Sequence, residues 1–281
     1  MQYDLRGVQD KTLEILVFLD EICRERKLTY YLAYGTLLGA IRHKGFIPWD
    51  DDVDIWMPRK DYTSLMAYLR ERGEDGRFVI NEGKYKPKGD RPSELQMRIL
   101  DTQTQIQRGY ANTTITAYAW IDIFALDIFP DKKQKGYLKA FKNKLFWYKI
   151  ARCKNFLIDN GSLYGKMNKL IYNLHNQHGW FKKSLSEEKY LQKAIQAVTK
   201  YQDKDMDGKG YTNYFCYAAV YLPKQEKCFF KREWFEVCEV EFCNKKFLAP
   251  KGYHEILTKI YNDYMTLPPE SERITHGVQE V

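Results

Sequence analysis

Residues 34–58 read YGTLLGAIRHKGFIPWDDDVDIWMP, and this stretch decides the prediction of the fold. The Tyr-rich segment Thr29–Tyr34 is typical of a strand, Gly35 ends it, and Thr36–Arg42 is typical of a short helix. Glycine allows close backbone approach, and a helix N terminus offers free N–H groups. This junction is therefore suited to hold a phosphate.

The acidic turn that follows contains four carboxylates within five residues, Asp50, Asp51, Asp52 and Asp54. Crowded like charges repel one another, so a bound divalent cation is the simplest way to neutralise them. Asp52 and Asp54 lie at the start of a predicted strand, where alternate side chains share one face. One ion can then bridge both carboxylates, and their hard oxygen atoms favour Mg²⁺ or Mn²⁺.

Two other interpretations of the acidic turn stay open. Asp50, Asp52 and Asp54 match positions one, three and five of a calcium-binding EF-hand loop. However, Ile55 stands where that loop needs glycine, and Asp61 stands where it needs a bidentate glutamate. A solvated acidic turn is the second alternative, which the flanking apolar residues disfavour.

Hydrophobic periodicity predicts several helices and several strands, which together indicate the α/β (α+β) class. Apolar side chains recur at helical spacing in residues 4–27, and residues 119–124 alternate as strands do. The other predicted elements are strands 54–57, 78–81, 95–100 and 237–242 and helices 58–72 and 253–264.

Residues 131–204 differ in character from the rest of the chain. They carry 17 Lys and Arg against 5 Asp and Glu, a net charge of +12 in a chain whose net charge is +8. We interpret them as a helical insertion into a single domain spanning 1–281, whose catalytic core comprises 28–130 continued by 205–281. Such a segment favours an anionic partner, although solvated helix faces are equally consistent with it.

Three features bear on the compartment. The longest uncharged stretches, 28–41 and 210–223, are 14 residues, short of the roughly 20 that a membrane-spanning helix needs. Residues 1–20 carry charges throughout and lack the apolar region of a signal peptide. The six cysteines include no C-x-x-C pair, so we expect reduced thiols in a cytoplasmic protein.

The Gly-Thr pair followed by an Asp-x-Asp strand resembles the nucleotidyltransferase superfamily of polymerase-beta type. This resemblance implies a nucleotidyltransferase-type fold, with a mixed β-sheet core and flanking helices. The fuller string YGTLLGAIRHKGFIPWDDDVDI at 34–55 resembles the signature of the LicD family of phosphocholine transferases, which also includes fukutin and fukutin-related protein. The resemblance extends to AWIDIFALDIFP at 119–130 and to APKGYHEILTKIYNDYMTLPPESERITHG at 249–277. It frames both ends of the chain and matches 131–204 poorly.

The resemblance implies roles for individual residues. Asp52 and Asp54 take the Asp-x-Asp positions and Asp122 takes that of a third carboxylate, so these three are the expected catalytic residues and ligands of Mg²⁺ or Mn²⁺. Asp127 is a rival for the third position. The residues expected to bind substrate are Gly35, Thr36, Arg42, His43, Lys44, Asp50 and Arg98. For His43 and Lys44, capping of the loop and solvent exposure are the alternatives.

The reaction that the resemblance implies passes a phospho-alcohol, most often phosphocholine, from a CDP-activated donor to a glycan hydroxyl. The acceptor would be a cell-surface glycan or a teichoic-acid-type precursor of the cell wall, and CMP would leave. Phosphoryl transfer requires positioning and charge neutralisation, which Mg²⁺ ions on the diphosphate provide. Aromatic faces hold a quaternary ammonium best. The candidates are Tyr211, Tyr214, Tyr217 and Tyr221, although core packing is the commoner use of such residues.

An acceptor of this kind is expected to be lipid-linked at the inner membrane face. The basic insertion would then contact an anionic membrane peripherally, through aromatic residues interleaved with Lys139, Lys142, Lys144 and Lys149. The alternative is a helical cap that packs on the catalytic core.

Two other functions compete with this interpretation. A template-free nucleotidyltransferase acting on RNA or protein would share the Gly-Thr and Asp-x-Asp chemistry, but it would release pyrophosphate rather than CMP. A non-enzymatic membrane-surface binding protein would use the acidic cluster only structurally. Under the main interpretation no nucleic-acid partner is expected.

Overall fold

The structure is a computed structural model that describes residues 4–86, 93–110, 113–129, 139, 142–144, 146, 187–202, 213–216, 229–273 and 275, and the statements below concern these residues. By its contacts the chain divides into two compact units. The first is Met1–Asp127 with Thr212–Val281, and the second is Ile128–Tyr211. A single domain with an insertion at 131–204 stays our proposal for the organisation of the chain.

The helices of the described residues begin and end as follows: α1 (Leu5–Arg26), α2 (Tyr34–His43), α3 (Arg59–Arg72), α4 (Glu187–Val198) and α5 (Tyr253–Tyr261). The strands are β1 (Tyr31–Leu32), β2 (Asp54–Pro58), β3 (Phe78–Ile80), β4 (Gln96–Tyr110), β5 (Thr113–Phe129), β6 (Asn213–Cys216), β7 (Phe229–Lys231), β8 (Val237–Phe242) and β9 (Lys245–Pro250). Among these helices, none has both the length and the apolar character that crossing a membrane requires.

The main sheet is mixed, with the strand order β1-β2-β5-β4-β3, and β6 pairs with both β5 and β7. β2 and β5 run parallel, whereas β1 with β2 and β4 with both β3 and β5 run antiparallel. β8 and β9 form a separate two-stranded hairpin. The prediction of an α/β class built on a mixed sheet is therefore confirmed.

Helix α1 forms as its periodicity predicts. The Asp4 side chain accepts a hydrogen bond from the N–H of Gly7 at 2.7 Å, and Lys27 ends the helix in the left-handed conformation. The apolar residues that recur at helical spacing face inward, and the helix contacts β4. The buried ones are Val8, Ile15, Leu16, Leu19, Ile22 and Cys23.

The junction between the first strand and the second helix differs from the prediction. β1 comprises only two residues, and Tyr34 already begins α2 with a φ of +42°. The reason is that the N–H of Ala33 donates to the carbonyl oxygen of Asp54 at 2.9 Å, so the chain turns into the helix one residue before Gly35.

The hairpin of β4 and β5 is much longer than the predicted strands 95–100 and 119–124. Its register shifts between Asp101 and Gln105, where the Asp101 carboxylate accepts hydrogen bonds from the N–H of Gln103 at 3.0 Å and the hydroxyl of Thr104 at 2.7 Å. This irregularity interrupts the alternation of side chains from which a strand is predicted.

The β8–β9 hairpin was only half predicted. Strand 237–242 is confirmed with both its ends, but β9 was missed. Its turn residues Cys243 and Asn244 have φ values of +50° and +60°, as a tight two-residue hairpin turn requires. β9 was missed because the Cys-Asn pair lacks the glycine from which such a turn is normally predicted.

Helix α4 lies in the second unit and buries Leu191, Ala194 and Val198 along one face. Lys139, residues 142–144 and Phe146 are also helical. These positions agree with a helical insertion, and most of 131–204 lies outside the described residues.

Candidate active site

The start of α2 and the start of β2 are held together by the Gly-Thr pair. The hydroxyl of Thr36 accepts a hydrogen bond from the N–H of Asp54 at 2.9 Å, and this threonine is buried. Thr36 therefore positions the first residue of the strand that carries the Asp-x-Asp pair. Its direct contact with substrate stays a prediction.

A glycine is required at position 35 because the acidic turn lies close to the backbone there. A Cβ atom at this position would lie 2.6 Å from the Oδ2 atom of Asp50, which is closer than real Cβ contacts. The absence of a side chain thus allows the Asp50 carboxylate to approach the first turn of α2. On the other side, the side-chain amide of Gln9 donates to the backbone oxygen of Asp50 at 2.8 Å.

We expect Gly35→Ala to lower the rate of the reaction about 100-fold, because displacing a reacting group by about 1 Å can cost that much. The measurement is kcat/KM of the purified variant. Gly76→Ala is the matched control, since its added Cβ would meet the flexible end of Arg72 at 3.3 Å and make an ordinary contact with the backbone oxygen of Phe78 at 3.7 Å. A Gly35→Ala enzyme within twofold of the wild type would contradict this account of Gly35.

The carboxylates of Asp50, Asp51 and Asp52 form a compact cluster. One oxygen of each lies within 4.8 Å of the others, Asp50 and Asp51 are buried, and Asp52 is partly buried. Three hard oxygen donors at this separation fit a divalent cation such as Mg²⁺ or Mn²⁺. The structure therefore supplies an aspartate triad able to hold a metal ion, and Asp51 is a member to which sequence reasoning gave no role.

Asp54 and Asp122 lie beside this cluster on neighbouring parallel strands. They are directly opposed in the register of β2 and β5, and the N–H of Asp122 donates to the carbonyl oxygen of Val53 at 2.9 Å. Burial, and then the charges of Asp52, Asp122 and Asp50, hold the pKa of Asp54 well above its usual range. The charges of Asp52, Asp122 and Asp50 therefore disfavour the charged form of Asp54, and a bound cation would relieve this repulsion.

The Asp122 carboxylate is oriented by three donors. Oδ1 accepts hydrogen bonds from the amide of Gln96 and from Nε of Arg98 at 2.7 Å, and Oδ2 accepts one from the indole of Trp120 at 3.1 Å. The Arg98 guanidinium also lies over the Trp120 ring, 4.6 Å from its centre. That a metal ion is held by a complete set of three ligands, Asp52, Asp54 and Asp122, stays a prediction.

The rival carboxylate, Asp127, has a different partner. Arg59 donates two hydrogen bonds of 2.7 Å to the Asp127 carboxylate, one to each oxygen, and both side chains are buried. Burial alone would lower the pKa of the Arg59 guanidinium. The charge and hydrogen bonds of the Asp127 carboxylate exceed this effect, so the pKa is raised. This pair joins α3 to β5.

A cleft of about 660 Å³ opens beside the aspartate cluster. Gly35, Arg42 and Asp50 form one wall, and Tyr261 with the segment after α5 forms the other. Burial, and then the charges of Asp54, Asp50 and Asp52, raise the pKa of Tyr261, so its hydroxyl stays protonated. Sequence reasoning missed this residue because it is far from the acidic turn along the chain.

The basic residues before the acidic turn contact the protein itself. Arg42 donates to the carbonyl oxygen of Tyr264 at 2.7 Å and to Nε2 of His43 at 2.9 Å, and so anchors the segment after α5. Burial and the neighbouring Arg42 lower the pKa of His43, which is consistent with an accepting, neutral ring. Lys44 ends α2 and is exposed. Their predicted contacts with substrate remain to be tested.

Fold and site together define an α/β protein in which an acidic turn, placed by a Gly-Thr helix start, faces a cleft. Residues 27–149 match the family model described as LicD/FKTN/FKRP, nucleotidyltransferase domain. The lipopolysaccharide cholinephosphotransferase LicD of Haemophilus influenzae is 31% identical over 98% of this chain and 97% of its own length. The chain belongs to the LicD family.

Two further relatives match shorter parts of the chain. An uncharacterized protein of Rickettsia prowazekii is 38% identical over 85 residues, 30% of this chain and 32% of its own. An uncharacterized protein of Rickettsia typhi is 46% identical over 71 residues, 25% of this chain and 23% of its own. The relative with nearly full coverage is thus a phosphotransferase enzyme, and the predicted family is confirmed.

Proposed function

We propose that this phosphotransferase moves phosphocholine from CDP-choline, or a related CDP-alcohol, to a hydroxyl of a cell-surface glycan. The observation that carries the proposal is the similarity to a lipopolysaccharide cholinephosphotransferase over nearly the full length of both chains. The aspartate cluster beside the cleft supports it, because the diphosphate of such a donor requires charge neutralisation.

In the proposed reaction the acceptor hydroxyl oxygen attacks the phosphorus that bears choline. The bond from this phosphorus to the oxygen bridging the two phosphates breaks, and CMP leaves. One carboxylate of the cluster accepts the proton of the hydroxyl, and the N–H groups at the start of α2 face the donor phosphates. Thr36 contributes by accepting the hydrogen bond that positions Asp54. Gly35 contributes because its lack of a side chain leaves room for the Asp50 carboxylate.

Asp52, Asp54 and Asp122 are the proposed ligands of Mg²⁺ or Mn²⁺, and Asp50 and Asp51 offer further oxygens. The ion would neutralise the diphosphate and stabilise the negative charge of the leaving CMP. The protein contributes the orientation of these oxygens, most visibly at Asp122 with its three donors.

Product analysis tests the proposal. The protein is incubated with Mg²⁺, glycan from lipopolysaccharide or teichoic acid, and in turn CDP-choline, CDP-glycerol and CDP-ribitol. We expect CMP and a phosphocholine-bearing glycan from CDP-choline. Release of pyrophosphate from CTP with labelling of RNA or protein would instead support the nucleotidyltransferase alternative.

We propose in addition that the protein works at the cytoplasmic face of the membrane, where the basic insertion contacts anionic lipid. Lys139, Lys142 and Lys144 lie at helical positions and supply positive charge, each adding roughly 1 kcal/mol near such a surface. Sedimentation with anionic vesicles should carry the protein down at low salt, and Gln at these three positions should weaken binding. No sedimentation at low salt would contradict this part of the proposal.

A further inference from the structure

We propose that the cleft beside the aspartate cluster binds the quaternary ammonium group of the donor, with Trp49 and Tyr261 as its aromatic walls. This inference rests on the proposed function and names the subsite for the transferred alcohol. The cleft volume of about 660 Å³ falls within the range of small-molecule sites. Trp49 and Tyr261 line it together with the carboxylate residues Asp50, Asp263 and Glu272.

The Trp49 ring is already placed to accept a positive charge. The guanidinium of Arg273 lies 5.3 Å from the centre of this ring, within the range of a cation–π contact. The imidazole of His43 meets the same ring edge to face at a centroid distance of 6.4 Å, which fixes its orientation. A trimethylammonium group has no N–H to donate, so such a ring is the kind of partner it requires.

Tyr261 completes the aromatic surface from the end of α5. The residue is 37% exposed while it lines the cleft, so part of it is open to a ligand. The face of a neutral phenol ring attracts a cation, so the open part of Tyr261 offers a second aromatic surface.

The charges around the cleft favour a cation. The described lining residues include the carboxylates of Asp50, Asp263 and Glu272 and the guanidinium of Arg42, which donates to the backbone of Tyr264. With the guanidinium of Arg273 over Trp49 counted as well, the carboxylates outnumber the guanidiniums three to two. Asp50 belongs both to this lining and to the aspartate cluster. An ammonium group in the cleft would therefore leave the attached phosphate beside the carboxylates where transfer is proposed.

Of the tyrosines suggested by the sequence, Tyr214 is the one that the structure describes, and it fits this role less well. Tyr214 packs edge to face on Phe235 at 5.1 Å and lies beneath Arg232, so its ring belongs to an aromatic core cluster. Tyr211, Tyr217 and Tyr221 lie outside the described residues. The cleft thus gives the alcohol a subsite on a different part of the chain.

Calorimetric binding of phosphocholine in the presence of Mg²⁺ tests the inference without requiring turnover. The comparison ligand is 3,3-dimethylbutyl phosphate, in which an uncharged tert-butyl group replaces trimethylammonium. We expect the wild type to bind phosphocholine about tenfold more tightly than this isostere, and Trp49→Leu and Tyr261→Leu each to weaken phosphocholine binding about tenfold. Tyr253→Leu, on the first turn of α5 and outside the cleft lining, is the matched control.

Glu272→Gln, at an exposed position, gives a second test that does not alter packing; it should weaken phosphocholine binding and leave binding of the isostere unchanged. Equal affinity of the wild type for both ligands, or unchanged phosphocholine binding in the Trp49 and Tyr261 variants, would overturn the inference. Phosphocholine binding that depends on both rings, without CMP release from any CDP-alcohol, would support this subsite and contradict the proposed reaction. CMP release with unchanged KM in both ring variants would support the proposed reaction and contradict this subsite.

Discussion

Asp52→Asn should lower the rate of CMP release from CDP-choline about 1000-fold, which corresponds to about 4 kcal/mol of transition-state stabilisation. The substitution keeps the shape of the side chain and removes the charge that a divalent cation needs. Asp52 belongs to the compact aspartate cluster and also acts on Asp54 electrostatically. Removing its charge therefore alters the centre of the site while the elements around it keep their packing.

The control for this variant is Asp75→Asn, an exposed aspartate in the loop between α3 and β3. We expect Asp75→Asn to retain the wild-type rate, and both variants to unfold within a few degrees of the wild type. Isothermal calorimetry with Mn²⁺ should show weaker metal binding only for Asp52→Asn. A rate within tenfold of the wild type would remove Asp52 from the catalytic machinery.

Arg59→Met should lower the free energy of unfolding by about 3–5 kcal/mol, because it leaves the buried Asp127 carboxylate without its charged partner. Both hydrogen bonds of this pair measure 2.7 Å, and the side chains of Arg59 and Asp127 are only 10% and 2% exposed. Arg59 also donates to the carbonyl oxygen of Glu94 at 3.0 Å, so the substitution releases a further acceptor. Chemical denaturation measures the change.

The double variant Arg59→Met/Asp127→Leu separates the charge from the packing. Because it removes both charges, it should recover most of the lost stability. Lys251→Met is the surface control, since the Lys251–Glu236 pair at 2.9 Å is 63% and 67% exposed and should contribute less than about 1 kcal/mol. A loss below 1 kcal/mol for Arg59→Met alone would show that the buried pair does not stabilise the fold.

Local patterns predicted much of this fold. The apolar spacing of α1, the strand at Asp54 and the strand Val237–Phe242 depend on neighbours in sequence, and the structure has them nearly as predicted. The ends of β4 and β5 and the existence of β9 depend instead on a register shift and on a left-handed Cys-Asn turn. Neither feature has a composition signal strong enough to be recognised in one sequence.

The site divides in the same way. The aspartate cluster is visible because its members are adjacent. Gly35 was predicted as a position of close approach to a phosphate, and the structure places the Asp50 carboxylate against it. Tyr261 and the donors to Asp122 come from distant segments, so no spacing in the sequence predicts their contacts. The contact of Arg42 with the backbone of Tyr264 was equally invisible, although it shapes the cleft.

We propose that this chain transfers an intact phosphocholine group and releases CMP. CDP-choline labelled with ³²P in the choline-bearing phosphate and with ¹⁴C in choline, given with Mg²⁺ and lipopolysaccharide glycan, tests it most directly. We expect both labels to appear on the glycan in equal amounts, with unlabelled CMP as the nucleotide product, and Asp52→Asn to lower their transfer about 1000-fold. Choline transferred without its phosphate, or ³²P retained on the nucleotide, would contradict it.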